Sequence, residues 1–200
     1  MEIIIHRINT VKKLRLIPLK YGTEIDVRSY NNKLILAHDP FKKGDDLNTY
    51  LKNYNHGTLI VNIKEAGIEY LVIKQLKKFK IKNYFLLDVE FPFIYKSSRK
   101  GFKNTSIRFS EEESIDTVKK YINLINWVWI DTFSKLPINK NNIKVLNKFK
   151  KCLVSPDRWN RPQDIKKYIK TMKQKNFSIN CVMTSESTAE IWEKNYLLTQ

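Results

Sequence analysis

Glycine is scarce in this chain, at five of 200 residues, and cysteine scarcer still, at two. So few glycines leave no Gly-rich phosphate loop after the first apolar run, which argues against an open, doubly wound nucleotide-binding sheet. Cys152 and Cys181 each lie inside an apolar run, the setting of reduced core residues rather than of a secreted disulfide framework. No apolar stretch reaches the length that spans a bilayer. The opening MEIIIH has neither the basic region nor the small-residue cleavage site of a secretory leader. Together these absences predict a cytoplasmic protein. Linkers, internal repeats and low-complexity tracts are missing as well, so residues 1–200 are expected to form a single domain around one core.

Acidic residues are also short: 20 stand against 37 lysines and arginines, for a formal charge of +17. A surplus of that size can mark a polyanion-binding surface where the cations cluster. Here the lysines are spread through nearly every polar segment and far outnumber the arginines, which reads as a solvated surface with no dedicated nucleic-acid partner. Trp127, Trp129 and Trp159 could serve as base-stacking platforms. Trp127 and Trp129, however, alternate within one apolar run and place at least one ring in the core.

What the chain does have is alternation. Short β-branched runs recur at Ile3–His6, Glu24–Val27, Thr58–Lys64, Tyr84–Val89, Ser106–Phe109, Trp127–Thr132, Lys151–Ser155 and Asn180–Thr184, and read as eight strands. Between them, Ile68–Phe79, Ser114–Ile125, Asn141–Phe149 and Arg161–Lys175 carry helical spacing, with Phe91–Gly101 and a Pro18-interrupted Thr10–Lys20 as further helices. Ser29–Asp39 reads as a hairpin arm turning at Asn31-Asn32. The fold class this implies is α/β: a compact (β/α)8 TIM barrel without a large insertion domain, at the lower end of that fold's length range.

Active sites of such barrels are built at the carboxyl ends of the strands, and polar residues collect there. His6-Arg7 closes the first strand. Glu24-x-Asp26 lies in the second, its period of two sending both carboxylates to one face. His38-Asp39 ends the hairpin, Asn62-x-Lys64 the third strand, Asp88 the fourth, Arg108 the fifth and Asp131 the sixth, while Asp157 follows the seventh. Each alone has a bland explanation; convergence carries the weight, since two of only three histidines sit at strand ends. His56, in an Asn-His-Gly turn, is given no role. Two inward carboxylates call for a shared cation, and oxygen ligands suit Mg²⁺ or Ca²⁺. Histidines can move protons near neutrality, and Lys64 and Arg108 can neutralise a phosphoryl group.

The ordered set His6-Arg7, Glu24-x-Asp26, His38-Asp39 resembles the signature of the glycerophosphodiester phosphodiesterases. Weaker likeness continues through Asn62-x-Lys64, Ile107–Ser110, Trp127–Asp131 and Cys152–Asp157. The resemblance implies a metal-dependent phosphodiesterase barrel acting on a small-molecule or lipid-derived phosphodiester. In it Glu24, Asp26 and Asn62 hold the divalent ion, and His6, His38 and Lys64 are catalytic. Arg7, Arg108, Asp88 and Asp131 contact the substrate. The pattern departs from the family where Asn62 stands in place of an acid, so that Asp88 is an alternative third ligand. It departs again where Ile8 replaces a glycine, and where the segment after His38-Asp39 shrinks to about Pro40–Gly57. A weak or inactive barrel that binds phosphorylated ligands is the alternative reading.

Overall fold

The computed structural model describes residues 1–197. Eight parallel strands carry the fold: β1 (Glu2–Ile5), β2 (Gly22–Tyr30), β5 (Leu59–Ile63), β6 (Tyr84–Leu87), β7 (Ser106–Phe109), β8 (Trp127–Ile130), β9 (Lys150–Val154) and β10 (Cys181–Thr184). They pair in the cyclic order β1-β2-β5-β6 and β7-β8-β9-β10-β1. A single parallel bridge, Leu86 to Thr105, joins β6 to the start of β7 and closes the ring. All eight expected strands are present, and the closed barrel displaces the open-sheet alternative.

Helices follow the strands on the outside: α1 (Val11–Leu14), α2 (Leu47–Lys52), α3 (Glu69–Lys78), α4 (Phe91–Arg99), α5 (Ile115–Lys119), α6 (Lys140–Leu146), α7 (Ile165–Gln174) and α8 (Glu186–Leu197). The expected Thr10–Lys20 helix shortens to one turn capped by the Thr10 side chain, because Pro18 cannot sit inside a continuing helix. α2 and α8 were not expected from the pattern. α2 starts on the Asp46 side chain, which accepts from the Thr49 N–H, and fills part of the Pro40–Gly57 connection. β2 outlasts its barrel partners and turns at Asn31 (φ 47°) and Asn32 (φ 58°) into the antiparallel β3 (Lys33–Leu36), which pairs with the two-residue β4 (Asp45–Asp46). Two consecutive left-handed asparagines are what a tight hairpin of this hand requires.

The barrel interior is in two layers. Below, Ile4, Ile60, Phe85, Trp127, Cys152 and Cys181 are among the residues of one apolar plug, with Phe85 stacked on Trp127 at 4.5 Å between ring centroids. Truncating Phe85 to alanine in such a plug costs about 3–5 kcal/mol. Both cysteines are free and buried, as their apolar setting predicts. Above the plug the same inward positions turn polar, because alternation carries Ile4 to His6, Ile60 to Asn62 and Trp129 to Asp131. β2 gives the interior Glu24 and Asp26, each 1% exposed. Gly22 lets β2 begin against β5, since a Cβ there would lie 2.3 Å from the Thr58 carbonyl oxygen.

Candidate active site

A cavity of about 320 Å³ opens at the carboxyl ends of the strands, floored by Leu87, Val154 and Met183. Of the residues expected at the site, His6, Arg7, Glu24, Asn62, Asp88, Arg108 and Asp131 line it. Asp26 and Lys64 stand immediately beside them. Lys64 Nζ is 3.4 Å from Asp26 Oδ1 and 3.9 Å from Asp88 Oδ2. His38 does not line the cavity, and its side chain is 39% exposed.

Register puts His6 and Glu24 side by side, because Ile4 and Ile5 pair with Gly22 and Thr23. His6 Nε2 lies 3.9 Å from Glu24 Oε2. Burial first, then the nearby Arg158 and Arg7 guanidinium groups, pull the His6 pKa down to about 3, so its imidazole is neutral at physiological pH. The charge of His38 acts on His6 in the same direction. His38 Nδ1 is 2.7 Å from Asp39 Oδ1, and this bond holds the Asp39 carboxyl below its usual range. An ionised carboxylate can only accept, so Nδ1 carries the proton and Nε2 is left for the site.

Burial, followed by the charge of Asp26, pushes Glu24 up to about 7. Glu24 accepts from the Arg7 backbone N–H at 2.8 Å and from Asn62 Nδ2 at 3.2 Å. Arg7 itself is in the left-handed region at φ 59°, a conformation unusual for a β-carbon residue and of the kind that clusters at functional sites. Asp26 is bracketed by Asn9, which donates Nδ2 to its carboxylate and accepts its backbone N–H, and by Arg7 Nε at 3.7 Å.

Arg108 crosses three carboxylates: Asp88 at 2.6 Å, Glu113 at 2.9 Å and Asp131 at 3.0 Å. Burial works against its charge, but these three neighbours outweigh it and the pKa rises. Asp131 also accepts from the Trp159 indole at 2.8 Å, the Trp129 indole at 3.3 Å and the Thr132 backbone N–H at 2.8 Å. Trp159 meets Phe133 edge-on at 4.8 Å, and the two form an aromatic wall of the cavity.

Among the described residues no group of three His, Cys, Asp or Glu gathers as a metal nest. Asp88, the alternative third ligand, is engaged by Arg108 and Lys64. Asn62 is oriented with its amide N–H toward Glu24, and its Oδ1 is buried without a partner. That orphaned carbonyl, near the buried carboxylates of Glu24 and Asp26, is of the oxygen-donor chemistry that a hard cation takes. Glu24, Asp26 and Asn62 are the oxygen donors that would hold such an ion, with a neutral ligand in the third place.

Four contributors had no role at the site assigned from the sequence. Arg28 donates to the backbone carbonyls of His38 at 3.1 Å and Lys64 at 2.9 Å, tying together two strand ends that carry site residues. Arg158 and Trp159 come from a 3-10 turn, Pro156–Trp159, after β9. Asn9 is the fourth, and nothing but its place after the His6-Arg7 pair could have flagged it.

No family model and no curated protein matches the sequence. Solved structures do match. A glycerophosphodiester phosphodiesterase from Agrobacterium tumefaciens str. C58 superposes with a TM-score of 0.65 at 12% identity, covering 94% of this chain and 98% of that one. A second protein of that bacterium, assigned as a glycerophosphoryl diester phosphodiesterase, gives a TM-score of 0.69 at 10% identity over 99% of both chains. This chain has the glycerophosphodiester phosphodiesterase fold. Coverage near the full length of both means that the fold is reproduced without a large inserted domain. At such low identity the likeness speaks for the architecture, and chemistry has to be argued from the side chains.

Proposed function

We propose that the chain is a phosphodiesterase that cleaves a small or lipid-derived phosphodiester bearing a hydroxyl next to the phosphate. The observation that carries this reading is a neutral, desolvated His6 facing Glu24 in a cavity ringed by Arg7, Arg108 and Arg158. Cations draw in a phosphodiester, and a neutral imidazole among them is the group that can accept a proton there. The names of the two solved neighbours support the same reading.

In this mechanism His6 takes the proton of the substrate hydroxyl while its oxygen attacks phosphorus. The bond to the departing alcohol breaks, and His38, oriented by Asp39, returns a proton to that oxygen. Water then opens the cyclic phosphate with the two imidazoles exchanging roles. Lys64 and Arg108 face the phosphoryl oxygens, where negative charge grows in the transition state. Glu24, Asp26 and the Asn62 carbonyl would hold Mg²⁺ or Ca²⁺, which would supply further charge neutralisation during phosphoryl transfer.

A second reading, binding of phosphorylated ligands without turnover, is favoured by Asn62, which leaves the ion one charge short. Hydrolysis of an aryl phosphodiester, with and without chelator, separates the two. Wild type should turn over and lose activity with chelator, while His6→Ala and His38→Ala should each lose roughly 10²–10⁴-fold. Activity that survives either substitution ends the proposed chemistry. No turnover in wild type, with metal-dependent phosphate binding intact, selects the binder.

A further inference from the structure

The amino ends of β8, β9 and β10, on the face of the barrel opposite the cavity just described, carry a second open groove of about 510 Å³. Its lining includes Lys103, Lys148, Lys150 and Lys151 and contains no aspartate or glutamate. None of the four lysines forms an ion pair among the described residues, although the chain forms such pairs elsewhere. Lys103, Lys148 and Lys150 are exposed. Lys151 is not: it is 7% exposed, packed with Nζ 5.5 Å from the Phe177 ring centroid, and its polar contact is Asn147 Oδ1 at 3.2 Å.

A lysine buried to that degree is almost always paired with a carboxylate. Here the fold supplies only a neutral amide and an aromatic face, and three further cations converge on the same groove instead of a counter-charge. Asn123, Asn126 and Asn180 complete the polar lining, and their amides can donate to an anion without repelling it. Lysine is a compact point charge suited to phosphate oxygens. A volume larger than one phosphate, served by four cations, matches a ligand with several phosphate groups.

We propose that this groove is a binding site for a small, multiply charged phosphate anion, separate from the catalytic cavity. A nucleic-acid strand fits less well, because the aromatic rings at the groove are covered. Trp127, Phe149 and Phe177 are 7%, 6% and 3% exposed and offer no face on which a base could stack.

Calorimetric titration of the full chain with inorganic tripolyphosphate tests the site. Saturable binding is expected, weakened at least about tenfold both in Lys103→Ala/Lys148→Ala/Lys150→Ala and in Lys151→Met, which keeps the packing on Phe177 while removing the charge. A control removing three exposed lysines of α3 (Lys74, Lys77 and Lys78 to alanine) should bind within about twofold of wild type. Equal weakening in the α3 control would reduce the effect to net charge and overturn the site. Loss in Lys64→Ala without loss in the groove variants would place the anion in the catalytic cavity and overturn it too. Tighter binding of a single-stranded oligonucleotide than of tripolyphosphate, with affinity rising with strand length, would replace the small anion by nucleic acid.

Discussion

Replacing Asp131 with alanine removes one carboxylate and strands several donors at once. Asp131 is 4% exposed and accepts from Arg108, the Trp129 and Trp159 indoles, and the Thr132 N–H. Arg108 retains Asp88 and Glu113, and Trp159, 41% exposed, can turn its N–H to water. Trp129 and Thr132, at 3% and 0% exposed, cannot. Two buried donors left unpaired cost about 1–3 kcal/mol each, so Asp131→Ala should lose roughly 2–6 kcal/mol of stability. Asp131→Asn keeps one accepting oxygen and should lose about half as much. Urea denaturation followed by tryptophan fluorescence measures both, and near-ultraviolet dichroism should show the indole signal weakened in the alanine variant even where the protein is fully folded. An alanine variant as stable as wild type, or less harmed than the asparagine one, would refute the assignment of Asp131 as the acceptor that organises this corner.

Arg28→Ala should lower kcat by about tenfold with KM little changed, because Arg28 positions the His38 and Lys64 backbones and faces no substrate; Arg28→Lys should recover only part, lacking the forked donors. Asn62→Asp adds the missing negative charge, so Ca²⁺ binding measured by calorimetry should tighten by at least about tenfold, while without added cation the same variant should melt at a lower temperature than wild type. The pH dependence of stability should carry a Glu24 signature in metal-free buffer. Its folded pKa, about 7 against the usual 4.5, means that the folded chain keeps a proton the unfolded chain has lost, so the contribution is fully present below about pH 4.5 and disappears as pH rises through about 7. His6 acts oppositely, its stability falling away as pH drops from 6.5 toward about 3, so the difference between wild type and Glu24→Gln, measured across both windows, isolates the carboxylate. An identical pH profile in the two proteins would contradict the burial of Glu24.

The parts of the site legible in the sequence are those where one strand's alternation decides the outcome. Glu24-x-Asp26 had to share a face, and His6, Asn62 and Arg108 had to lie at strand ends. What escaped depends on register between strands or on single turns. Arg28 matters because β2 runs past β5 far enough for its guanidinium to reach the Lys64 carbonyl. Arg158 and Trp159 enter the cavity through a 3-10 turn ended by a left-handed Asn160 at φ 57°, which no periodicity marks. The roles of Asp88 and Asn62 were equally hidden. Asp88 is committed to Arg108 by a cross-strand ion pair, and the direction of the Asn62 amide follows from Glu24 across the β2–β5 pairing. α8 went unread because its apolar residues make only a weak stripe, although Trp192 is completely buried and donates to Ser155 Oγ at 2.8 Å.

The single bridge between Leu86 and Thr105 has a mechanical consequence. Every other neighbouring pair of barrel strands is laced by at least two register positions, so the ring is one continuous eight-stranded sheet whose two edges, β6 and β7, meet at a single loose link. Across that link, at the cavity end, lies the Arg108–Asp88 ion pair, which acts as a clasp. Amide exchange should therefore be fastest, within the barrel, at the β6–β7 seam, and the chain cut between α4 and β7 should reassemble from its two fragments more readily than a chain cut anywhere else in the ring. A phosphate that competes for Arg108 would then do two things with one contact, occupying the cavity and slackening the clasp that keeps the barrel shut.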